Sequence, residues 1–71
     1  MSVVSDIAKQ AIEQSIAGDR IVTLDYDLDL LAELETLSDN SVEAFGVTEF
    51  WGRDDAHNTW RVHVRDERGS K

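Results

Sequence analysis

The chain has no cysteine and no proline, and only four glycines among 71 residues. Without cysteine there is neither a disulfide nor a thiolate metal site, two of the staples that small domains rely on. Without proline, no linker marks a second domain, and the length allows a single one. A chain this short buries only about 60% of its unfolded surface, which leaves oligomerisation or docking on a partner as an added source of stability. No apolar run approaches the roughly 20 residues that span a bilayer. The opening MSVVSDIAKQ lacks the charged region and long apolar core of a secretory signal, so the expected compartment is the cytoplasm.

Cations are the most telling shortage. Seven Lys and Arg stand against fifteen Asp and Glu, for a net charge of −8. From Ile21 to Gly52 there are eight acids and no Lys, Arg or His. Such a field repels nucleic acid and anionic membrane and attracts basic protein surfaces. The expectation is therefore no direct nucleic acid and no membrane, with a basic protein as partner. The hydrophobic fraction of 41% is that of an ordinary folded domain and argues against disorder.

Residues 3–19 carry Val4, Ile7, Ala8, Ala11, Ile12 and Ile16 at helical spacing. Ser2 or Ser5 is placed to cap that helix, and Gly18 to end it. RIVTLDY, residues 20–26, has the β-branched alternation of a short strand. A second helix follows in DLDLLAELETLS, with Asp27 as N-cap, Asp29 in its first turn, and a stripe of Leu30, Leu31, Leu34 and Leu37. SVEAFGVTEFWG and NTWRVHVRD read as two strands of a hairpin around the loop GRDDAHN, with Trp60, Val62 and Val64 inward. The predicted fold is α+β, in the order α-β-α-β-β. It is a two-layer domain over residues 1–66, with two helices on a three-stranded sheet and a flexible tail over 67–71. Pairing Trp51 with Thr59 would set Phe50 against Trp60 and Glu49 against Arg61.

Two clusters invite a metal reading, and neither sustains it. An EF-hand loop starting at Asp25 requires Gly where Leu30 stands and Glu where Thr36 stands. In DDAHN, residues 54–58, Asp and Asn are ordinary turn-forming residues, and no ligands at metal spacing join them from elsewhere. No nucleophile turn or phosphate-cradling glycine loop is present, and His63 lies between Arg61 and Arg65 on an outward strand face. The sequence thus predicts no catalysis, no metal and no cofactor.

What remains is the acidic stretch. Asp25, Asp29 and Glu33 recur every four residues, as do Glu35 and Asp39. Like charges at that spacing on a helix cost about 0.2–0.5 kcal/mol per pair. Adaptation to high salt also favours acids, but Lys9, Gln10 and Gln14 give the first helix an ordinary surface. A carboxylate row at phosphate-like spacing competes for the Lys/Arg groove of a nucleic-acid-handling enzyme or complex. In size, charge and absence of catalytic residues the chain resembles the small acidic inhibitors of phages and mobile elements, the anti-CRISPR and anti-restriction proteins that mimic DNA. The partner-binding residues so implied are Asp25, Asp27, Asp29, Glu33, Glu35, Asp39 and Glu49. Phe45 and Trp51, expected on the opposite strand face from Phe50 and Trp60, supply apolar contact. Self-association through that aromatic hairpin, giving a homodimer, is the alternative.

Overall fold

The computed structural model describes residues 3–65. They form α1 (Val3–Gly18), β1 (Ile21–Leu24), α2 (Leu28–Leu37), β2 (Asn40–Ala44), β3 (Val47–Arg53) and β4 (Thr59–Arg65). The four strands make one mixed sheet in the order β1-β4-β3-β2, with β1 parallel to β4 and the other pairs antiparallel. The α+β class and the two helices match expectation; the three-stranded sheet is corrected to four. SVEAFGVTEFWG is two strands because Phe45 and Gly46 both take positive φ, 55° and 77°, and close a two-residue turn. Left-handed conformation at both central residues matches the twist of the flanking strands. The usual sequence signal is Asn-Gly, and Phe-Gly conceals the turn.

The expected register is also corrected. Trp51 pairs with Arg61, Phe50 with Val62, Gly52 with Trp60 and Glu49 with His63. This slips two residues from Trp51 opposite Thr59. An even slip keeps every side chain on its expected face, so Phe50, Trp60, Val62 and Val64 are still buried. The loop is the cause. Asp54 Oδ1 accepts from the N–H groups of Ala56 (2.9 Å) and Asn58 (2.8 Å), and Asp54 N–H donates to Asn58 O at 3.0 Å. The connection closes within 54–58, and the strands run on to Arg53 and Thr59. Gly52 lets β3 lie close against Trp60, since a Cβ there would lie 3.0 Å from the indole, tighter than ordinary contact.

Ala8 and Ala11 are buried on α1, with Val4, Ile12 and Ile16 packed beside them; Ile7 is exposed. Small residues at this contact let the helix lie close to β4 and β1. Ser5 sits inside the helix, not at its cap, and Ser2 lies outside the described residues. The helix ends on Asp19 at φ 50° and not on a left-handed Gly18. Arg20 N–H reaches Ser15 O (3.1 Å) and Asp19 N–H reaches Ile16 O (3.3 Å), the paired bonds of a Schellman end. That motif puts its left-handed residue one past the last helical one, and the short Asp side chain tolerates it.

Asp27 caps α2 as predicted, its Oδ1 accepting from Asp29 N (2.9 Å) and Leu30 N (3.1 Å). Leu30 and Leu34 are buried, Leu31 is partly so, and Leu37 is exposed. Ser15 is the one buried polar residue among those described, at 3% exposure. Its hydroxyl donates to Arg20 O (2.7 Å) and accepts from Arg61 N–H (2.9 Å), tying the end of α1 to the turn before β1 and to β4. Among the described residues, no helix is long and apolar enough to cross a membrane. The tail expected over 67–71 lies outside the described residues.

Candidate protein-docking site

The two helices cover one face of the sheet unevenly. α1 packs on β4 and β1, while α2 packs on α1 and β3. β2, at the far edge, is exposed along its whole length. Its helix-side residues Ser41 and Glu43, paired with Phe50 and Thr48, therefore border a groove and not the core. The groove measures about 470 Å³ and is lined by Tyr26, Leu31, Glu35, Ser41, Glu43, Thr48 and Phe50.

Glu35 reaches this groove because it flanks the leucine stripe on the side away from α1. Glu33 flanks the other side and accepts from Ser5 Oγ at 3.3 Å. Two carboxylates and three hydroxyls thus surround an apolar floor of Leu31 and Phe50, and no Lys, Arg or His lines it. Such a surface suits an ammonium or guanidinium on an aliphatic stem, with the head on the carboxylates and the stem on the floor.

The other predicted acids are dispersed. Asp25 forms an exposed ion pair with Arg65 Nη1 at 2.9 Å, of the class typically worth about 0–1 kcal/mol. Asp27 is occupied as a cap, and Asp29 is exposed in the first turn of α2. Asp39 follows α2 and shares a cleft with Trp51 and Arg53. The four-residue row is broken because Asp25 precedes the helix and turns toward β4. Glu43 was not singled out from the sequence. Only the Phe45–Gly46 turn shows that it stands on a separate edge strand facing Glu35.

Among the described residues, no helix covers the opposite face of the sheet. Across it run Ile21, Arg61, Trp51 and Asn40 in one row, and Thr23, His63, Glu49 and Val42 in the next. Trp51 is half-buried there, as its alternation predicted. Phe45 is not on that strand face: it occupies the hairpin tip, with its side chain wholly exposed at 102%. Glu49 Oε2 lies 3.3 Å from His63 Nε2, an ion pair only when the imidazole is protonated. The geometry is not that of a hydrogen bond, and the buried Nε2 has no hydrogen-bond partner. Arg53 and Arg65 project from this face with Arg61. Of the five Lys and Arg among the described residues, these three stand behind the sheet, away from the groove.

In the 54–58 loop the two backbone N–H groups and the Asn58 amide (Nδ2 to Oδ2, 3.3 Å) converge on Asp54. The hydrogen bond from Asn58 N–H, chief among these, holds the carboxyl below its ordinary value of 3.8. This carboxylate is engaged in shaping its own loop. Among the described residues, no group of three or more His, Cys, Asp or Glu is placed to hold a metal ion. The groove lining offers carboxylates, hydroxyls and an apolar floor, with no imidazole among its residues. No protein-family model matches the chain, and no match was found among curated proteins or among solved structures.

Proposed function

We propose that this protein is a non-catalytic binding module that docks on a basic protein surface. It acts as an inhibitor occluding the nucleic-acid-binding surface of a nuclease, CRISPR effector or similar complex. Phe45 is the observation that carries the reading. Left-handed backbone costs a non-glycine residue about 1–2 kcal/mol, and the ring at φ 55° is fully exposed, so folding gains nothing from it. A partner that desolvates the ring does gain. The sign of that partner follows from the net charge of −8 and from the cation-free groove carrying Glu35 and Glu43.

The test is capture from host lysate with tagged protein, washed at low and high salt, followed by a displacement assay. The purified partner should release DNA or RNA when this protein is added, and less readily as salt rises. The triple variant Asp29→Lys, Glu33→Lys, Glu35→Lys should fail to displace, and Phe45→Ser should displace weakly. Undiminished displacement by both variants refutes the proposal. A second reading, self-association, is favoured by the uncovered sheet face with Trp51 and the exposed Val42 and Ile21. A strict monomer at high concentration in sedimentation counts against it.

A further inference from the structure

We infer that the partner contributes an extended, Lys- or Arg-bearing segment, which adds to the sheet as a fifth strand along β2 and lays alternate side chains over the Glu35–Glu43 groove. The inference rests on the basic-partner reading above and specifies how that partner is held.

Among the described residues β2 is the outermost strand, with no strand on its far side. Folded proteins protect such edges with lysine, proline, bulges or very short strands, because unpaired N–H and C=O groups recruit other chains. β2 has none of these; its one charge is Glu43, an inward-facing acid that guards the edge against acidic strands and not against a cationic one. Its sequence is NSVEA, and Asn40–Ala44 pair with Val47–Trp51 without a skipped residue. The other edge, β1, is only four residues long. The open edge and the groove are also contiguous, since Ser41 and Glu43 belong to both.

A strand added to β2 lies about 4.8 Å from it and presents every second side chain on the groove side. A Lys or Arg there meets Glu43 first and Glu35 beyond it, with its stem passing toward Leu31 and Phe50. Main-chain bonds then give affinity and the groove gives selectivity for cations, the division of labour seen in strand-addition recognition. Charge decides against a second copy as the occupant. Two β2 strands pairing antiparallel about Val42 would set each Glu43 against Ser41 of the other copy. Both Glu43 and both Glu35 carboxylates would then share one face between chains of net charge −8.

The probe is a capped peptide of about eight residues, within the usual range of strand lengths, alternating Lys and Val. Its control is the same peptide with every backbone amide N-methylated, which keeps the charge and removes the donors. The unmodified peptide should slow amide exchange in Asn40–Ala44 by about tenfold or more. The N-methylated peptide, and the variant Glu35→Gln, Glu43→Gln with the unmodified peptide, should each bind about tenfold more weakly. Equal affinity for both peptides, or no slowing in β2, overturns strand addition. Binding to polylysine separates the two claims. Salt-sensitive polylysine binding without β2 protection leaves the basic-partner reading standing and refutes this one, and loss of polylysine binding refutes both.

Discussion

Replacing Ser15 by alanine tests whether one hydroxyl holds the two layers in place. The side chain is 3% exposed and bonds Arg20 O at 2.7 Å and Arg61 N–H at 2.9 Å. Ser15→Ala strips a partner from two backbone groups, one in the turn that leads into β1 and one on β4. Both bonds are only partly buried, so each loss is taken at the low end, about 1 kcal/mol. Alanine returns about 0.5 kcal/mol through its higher helix propensity. The net destabilisation is then about 1.5 kcal/mol, against roughly 4–10 kcal/mol expected for a domain of this size. At about 4–8 °C per kcal/mol, the midpoint should fall by roughly 6–12 °C. Urea unfolding followed by tryptophan fluorescence reads this directly, because Trp60 is buried. Gln14→Ala, on the exposed side of the same helix, serves as control and should stay within about 0.5 kcal/mol. A loss below about 0.5 kcal/mol for Ser15→Ala would refute the reasoning, because it would mean that the two backbone groups are satisfied otherwise.

Phe45→Asn places the preferred residue at the first left-handed turn position and removes a ring with no packing to lose. It should stabilise the fold by about 0.5–1 kcal/mol in thermal melts while weakening partner displacement, and a destabilised variant would contradict the turn assignment. The carboxyl of Asp54 should titrate below 3.8 in an NMR pH series, its depression arising chiefly from Asn58 N–H. A depressed folded pKa stabilises the native state above the unfolded value of about 3.9, and this contribution is lost as pH falls through the lower folded one. Asp54→Asn should therefore flatten the acid limb of the stability profile, and an unchanged limb would show that the loop bonds are unimportant to it.

The sequence exposed whatever depends on periodicity. The two helices, the Asp27 cap and the inward set Phe50, Trp60, Val62 and Val64 follow from spacing and local chemistry, and an even register slip leaves such assignments intact. Features set by one unusual backbone angle stayed hidden. Phe45 in the left-handed region split a strand, moved an aromatic from sheet face to hairpin tip, and put Glu43 on an edge. The acidic row failed for a related reason. Four-residue spacing implies a shared face only where the chain is helical, and Asp25 lies before α2 while Asp39 lies after it. A parallel β1–β4 pair leaves no local signal, since its partners are about 40 residues apart.

That parallel pair also bears on how the chain assembles. β4 is the last of the described strands to be synthesised, yet it occupies an inner position between β1 and β3. Until Thr59–Arg65 have left the ribosome, β1 has no neighbour and β2–β3 is an isolated hairpin, which is marginal in water. The order of synthesis runs against the order of assembly. The sheet forms only in a late step that must close a long loop at once, and truncation within the 54–58 loop would remove the strand on which both halves of the sheet depend.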